Sequence, residues 1–163
     1  MEIIKSHKYN ATTDAVLKKF CDRDYYMQKY KELGAQNPEI LECGQDGDIF
    51  RIKTKRGVKA NVPSFAKKFL KEINIVTETD EWVLGDGATK EGSYTVSVEG
   101  APISINGEII LRPHGSGEGC EHEVKAIIVV KIPLVGKKIA KLVGDDTSDS
   151  LDEEFAYNAK HIS

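Results

Sequence analysis

Few residues in this chain stand at spacings that do chemistry. Glu121-His122-Glu123 is the densest titratable group, and carboxylates flanking an imidazole can bind metal or move protons. The apolar run that follows argues for a strand, however, and neighbouring side chains of a strand leave on opposite faces. Glu121 and Glu123 then face solvent, while His122 shares a side with Val124 and Ala126. Zinc needs three or four converging ligands, so no metal site is assigned. His122 is left either at the mouth of an apolar pocket or as a structural histidine. His7 falls on the face of Ile3, Lys5 and Tyr9 if the first segment is a regular strand. A pocket imidazole there can act as acid or base near neutral pH. No nucleophile or paired carboxylate stands at a diagnostic spacing from either histidine, and no catalytic residue or cofactor is assigned.

Three further groups have plain readings. Gly115-Ser116-Gly117-Glu118-Gly119 joins two strands, whereas a nucleotide loop follows a strand and opens a helix. Asp145-Asp146-Thr147-Ser148-Asp149 lacks the glycine that lets a calcium loop turn and reads as a solvated helix face. Cys21, Cys43 and Cys120 are odd in number and irregularly spaced, which is not a disulfide framework. They read as inert core thiols in a reducing cytosol.

The elements that position these residues follow from periodicity. Glu2–Asn10 reads as a strand, and Thr12 or Thr13 caps a short helix bearing Ala15, Val16, Leu17 and Phe20. Asp22-Arg23-Asp24 interrupts it. A second helix carries Tyr25, Tyr26, Tyr30 and Leu33 and stops at Gly34. After Asn37-Pro38 the pattern turns to strands: Glu39–Cys43, Asp48–Val58, Ile73–Trp82, Gly92–Glu99, Ile103–Leu111 and His122–Ile132. Ser64–Leu70 reads as a short amphipathic helix with Phe65 and Phe69 four apart. Short turns between strands make the sheet antiparallel. Val135, Ile139, Leu142 and Val143 give the last helix an apolar stripe. Gly144 could end that helix, and Ser150 with Glu153 could cap another; the expectation is one helix, bent or loosened near Gly144.

One domain over residues 1–163 accommodates all of this. The net charge of −3 argues against general nucleic-acid binding. The N-terminus has no apolar run suited to a signal peptide, and no stretch reaches the roughly 20 residues of a membrane span. The expected location is cytoplasmic. One surface stands out. Lys53, Lys55, Arg56, Lys59, Lys67, Lys68 and Lys71 lie in a segment with no acidic residue, beside Val62, Pro63, Phe65 and Phe69. Such a patch suits peripheral contact with an anionic membrane; a solvated rim around a helix that lids the core is the plainer reading.

A helix laid across a curved sheet does not fill the concavity everywhere. On the inner faces, large residues (Phe50, Tyr94, Phe155) mix with modest ones (Ile52, Val96, Val124, Ala126, Ile128). Ile139, Leu142 and Val143 form the roof, and Phe65, Phe69 and His7 complete the candidate pocket. Few charges are expected inside, which suits an apolar guest oriented by one or two polar groups.

The element order resembles the START-like helix-grip superfamily, also called SRPBCC, whose opening is similar to Ala11-Thr12-Thr13-Asp14-Ala15-Val16-Leu17. Three segments resemble the domain-of-unknown-function family 2505: Val62–Phe69, Gly100–Gly107 and Lys131–Ile139. The resemblance implies an α+β helix-grip fold, START/Bet v 1-like. Its parts are a seven-stranded curved antiparallel sheet, two short N-terminal helices, and a long C-terminal helix over the concave face. A hydrophobic cavity between sheet and helix goes with it. The first functional reading is binding or transport of a hydrophobic small molecule or lipid. The alternatives are a cyclase- or hydrolase-like enzyme using His7 or His122 with a tyrosine such as Tyr94, and a module docking on a membrane or protein through residues 51–71.

Overall fold

Hydroxyl and carboxylate caps start the first two helices. In the computed structural model, which describes residues 1–162, β1 (Glu2–Tyr9) leads into α1 (Thr13–Phe20) and α2 (Arg23–Glu32). Thr12 Oγ1 accepts the Ala15 N–H at 3.1 Å, and Asp22 Oδ1 accepts the Asp24 N–H at 2.9 Å. Asp22, read above as part of an interruption, is therefore the cap that allows the second helix to begin at once.

The strands follow: β2 (Gln36–Asp46), β3 (Ile49–Lys59), β4 (Ile73–Val83), β5 (Lys90–Val98), β6 (Ile103–His114) and β7 (Gly119–Val130). They form a seven-stranded sheet in the order β1-β7-β6-β5-β4-β3-β2, with every neighbouring pair antiparallel. The first strand thus joins the last, placing His7 opposite His122. The last element, α3 (Gly136–Ile162), packs on β1 and β7. This is the expected helix-grip fold.

Three local expectations are corrected. β2 begins ahead of Asn37-Pro38 and absorbs both at a register shift, with Asn37 at φ +49°. An edge strand tolerates this because proline's missing N–H faces no partner. The Ser64–Leu70 helix is reduced to a 3₁₀ turn, Ser64–Ala66. There Ala66 and Leu70 are buried and Phe65 is left outside. α3 runs unbroken through Gly144. A Cβ at Gly144 would meet the Met1 side chain at 2.7 Å and Ile128 of β7 at 3.3 Å, so glycine here serves close packing on the sheet rather than helix termination.

Two glycines shape the inner face of the sheet. A Cβ at Gly92 would lie 2.7 Å from the Trp82 ring on β4, and one at Gly107 would fall within the Tyr94 ring on β5. Both aromatic rings therefore lie across a glycine on the adjoining strand, Trp82 opposite Gly92 and Tyr94 opposite Gly107.

Candidate functional site

Between the sheet and α3 lies a cavity of about 580 Å³. Its apolar floor includes Val76, Val96, Ile105, Ile109 and Val124 with the rings of Trp82 and Tyr94. Its roof is one stripe of α3, Val143, Thr147, Leu151, Glu154 and Asn158, at helical spacing. Asp146, Asp149, Ser150 and Glu153 form an exposed rim on α3, facing Leu33, Gly34, Ala35 and Lys59.

Of the residues expected to form the pocket, Tyr94, Val96, Val124 and Val143 line it. Phe50, Ile52, Ala126, Ile128 and Phe155 are buried in the main core outside the lining. Ile139 is buried in a second cluster with Ala66, Leu70, Ile103 and Ile132, and Phe69 and Leu142 pack against it. Phe65 is 41% exposed. His7 is exposed on β1, its ring stacked on Phe155 at 5.7 Å. Cys120 is buried and Cys21 half-buried, and burial pushes their thiols up to about 11 and about 12. Cys43 is exposed, not a core thiol.

His122 lies deep within the site. Its Nδ1 meets the Tyr9 hydroxyl at 2.8 Å. Asn158 Nδ2 donates to that hydroxyl at 3.2 Å, and the Tyr25 hydroxyl donates to Asn158 Oδ1 at 2.5 Å. With Asn158 donating to its oxygen, the Tyr9 hydroxyl donates to Nδ1 of a neutral His122, whose proton is then on Nε2. Burial first, and then the charges of Lys29 and His7, lower His122 to about 3. This chain of bonds ties β1, β7, α2 and α3 together.

The expectation of few inward charges is wrong. On β4, Glu78 and Asp80 stand two apart and so share the cavity face with Val76 and Trp82. Arg56, assigned above to the basic surface, shares a face of β3 with Ile52 and Thr54 and points inward. Its Nη2 donates to Glu78 Oε2 at 2.8 Å, and both side chains are 14% exposed. The guanidinium lies 4.2 Å from the Tyr30 ring centre. The Tyr26 hydroxyl donates to Asp80 Oδ2 at 2.6 Å. Lys29 is buried, its Nζ 5.0 Å from the Tyr26 ring centre and 3.9 Å from Glu154. Burial, then the Glu78 charge beside it, holds the Asp80 carboxyl well above the usual carboxylate range. Burial, the largest influence, pushes Glu78 up, but Arg56, Asp80 and Lys29 together hold it below its ordinary value. The rest of the basic segment is at the surface: Lys55, Lys59, Lys67, Lys68 and Lys71 are exposed and Lys53 half-buried. Among the described residues no group of three His, Cys, Asp or Glu could hold a metal ion, and no helix is long and apolar enough to cross a membrane.

A seven-stranded antiparallel sheet gripping a long terminal helix over a cavity is a START-like, helix-grip fold. The chain belongs to the family described as protein of unknown function DUF2505, which it matches over residues 5–162. An uncharacterised protein of Mycobacterium tuberculosis is 24% identical over 168 residues, covering 97% of this chain and 94% of the relative. Among solved structures, the Zhui aromatase/cyclase from Streptomyces sp. R1128 superposes with a TM-score of 0.64 at 14% identity, over 100% of this chain and 96% of that one. A START superfamily protein from Mycobacterium smegmatis gives 0.57 at 13% identity, over 99% and 96%. Norcoclaurine synthase from Thalictrum flavum, in complex with dopamine and hydroxybenzaldehyde, gives 0.55 at 15%, over 100% and 88%. At these identities the structures share the fold.

Proposed function

We propose that this protein binds a hydrophobic small molecule or lipid-like guest beneath α3. The observation that carries this reading is the cavity of about 580 Å³ with its floor of valines and isoleucines. Its size falls in the range of about 300–1,000 Å³ typical of small-molecule sites. The likeness to a synthase held with two small organic molecules supports it, because the fold can leave such a space. His122 favours binding over acid–base catalysis: its Nδ1 is engaged by Tyr9, and lowered to about 3 it takes up no proton near neutral pH.

The test is titration with the neutral fluorophore N-phenyl-1-naphthylamine, together with native mass spectrometry of gently purified protein. Wild type should enhance the dye's emission. Val96→Phe/Val143→Phe, which fills floor and roof, should weaken uptake at least tenfold with an unchanged circular dichroism spectrum. Bare protein by mass and no dye uptake would end this reading.

A second reading, docking on an anionic membrane, has its own observation. Leu134 is fully exposed at φ +69°, in the left-handed region that leucine rarely adopts. Exposed Lys131, Lys137 and Lys138 flank it in the chain, Lys138 Nζ lies 5.8 Å from the ring centre of the exposed Phe65, and Lys67, Lys68 and Lys71, which follow Phe65, are exposed as well. Each lysine near an anionic surface contributes about 1 kcal/mol. Flotation with phosphatidylserine vesicles should fall with salt and with Leu134→Ser; flotation indifferent to both would remove this reading.

A further inference from the structure

The polar wall of the cavity carries more information than its apolar floor. Four polar atoms on this wall are buried and make no hydrogen bond: Tyr30 Oη, Arg56 Nη1, Asp80 Oδ1 and Trp82 Nε1. Tyr30, Asp80 and Trp82 are 3%, 7% and 1% exposed. All four residues line the cavity. Their neighbours hold them in place: Arg56 is fixed by Glu78 and stacked over Tyr30, and Asp80 is held by Tyr26. A buried polar group without a partner forfeits its hydration and gains nothing in return. One such group is an oddity; four on a single wall form a recognition surface.

Two of the four, Arg56 Nη1 and Trp82 Nε1, only donate, and the Tyr30 hydroxyl donates or accepts. They call for an acceptor oxygen. Charge then narrows the class. Inside, Arg56 is matched by Glu78 and Lys29 stands near Glu154, so no cation is left over for an anion. At the rim, Asp146, Asp149 and Glu153 outnumber Lys59 and repel one.

Resting on the binding reading above, we infer that the guest is a neutral apolar molecule bearing a hydroxyl or carbonyl oxygen, seated with that oxygen against Tyr30, Arg56, Asp80 and Trp82. An ionised carboxylic acid, such as a free fatty acid, is excluded by the same wall. Asp80 fits this role, because burial and the neighbouring Glu78 carboxylate keep it protonated, so it adds no negative charge to the wall.

The experiment compares pyrene, 1-pyrenemethanol and 1-pyrenecarboxylate by fluorescence titration at pH 7.5, on wild type, Tyr30→Phe and Trp82→Phe. The alcohol should bind at least tenfold tighter than either the hydrocarbon or the carboxylate. Tyr30→Phe should reduce that preference severalfold with pyrene affinity unchanged, and in Trp82→Phe, whose smaller ring also alters the floor, the ratio of alcohol to pyrene affinity should fall severalfold. Tyr30→Phe removes only a hydroxyl from the wall, whereas Trp82→Phe removes the indole N–H together with part of the ring; an unchanged circular dichroism spectrum reports that each variant is folded. Equal affinity for pyrene and its alcohol, or tightest binding of the carboxylate, overturns this inference and leaves the cavity reading standing. Failure of all three to bind overturns both.

Discussion

His122 stores a dependence on acid. The folded protein holds it at about 3, against an ordinary 6.5, and burial is the main cause. Below pH 6.5 the unfolded chain takes up a proton that the folded chain refuses, so the stability His122 supports is full above that pH and declines as pH falls toward 3. The decline approaches about 1.4 kcal/mol per pH unit. His122→Gln keeps a polar partner for Tyr9 without a titrating ring. Urea denaturation of both proteins from pH 7.5 to 4.5 should show wild type losing stability faster below pH 6, the difference between the two curves isolating this residue from the carboxylates they share. Parallel curves would mean that the buried imidazole titrates normally. At this scale the sequence was partly legible. Strand alternation placed His122 on the inner face correctly, but not its depth, because depth depends on Phe20 and Phe155 closing over it from two helices. Arg56 was misplaced for the opposite reason: charge suggested surface, whereas its alternation with Ile52 and Thr54 pointed inward. Glu78 and Asp80 carry the same period-2 signal between Val76 and Trp82.

Among the elements, β4, β5 and β6 keep the floor of the site low. Tyr94 and Trp82 are bulky enough to obstruct the cavity, and they lie flat because Gly107 and Gly92 offer no side chain beneath them. Gly107→Ala forces the Tyr94 ring upward. It should destabilise the fold by about 1–3 kcal/mol, the usual cost of overpacking, and weaken binding of N-phenyl-1-naphthylamine. Gly44→Ala is the control, since an added Cβ there meets nothing within 4 Å. Equal denaturation midpoints for the two variants would contradict this account of the floor. Such pairings escape a sequence reading because strand register, and not spacing, sets residue 94 against residue 107. The elements themselves were legible because apolar alternation is a local signal. The Ser64–Leu70 helix was misread where Phe65 and Phe69 suggested a buried stripe that Ala66 and Leu70 provide instead.

For the molecule as a whole, cavity and stability oppose each other. Unfilled apolar volume costs roughly 24 cal/mol per Å³ when a side chain is cut away, so filling it should stabilise. Val96→Phe/Val143→Phe is expected to raise the melting temperature of ligand-free protein by a few degrees, about 1 kcal/mol, while reducing uptake; scanning calorimetry of the same samples measures this. A lowered melting temperature would indicate a site already close-packed. The pairing of the first strand with the last sets a different constraint. Met1 N donates to Ile128 O at 3.1 Å, and the Met1 side chain lies under Gly144 of α3. Contacts this distant along the chain close late, since loop entropy must be met before they form. During synthesis β1 therefore waits without its partner until β7 has left the ribosome. The bowl closes only once β7 has reached β1, and its cover, α3, follows β7 in the chain, so a chain halted before them encloses no chamber.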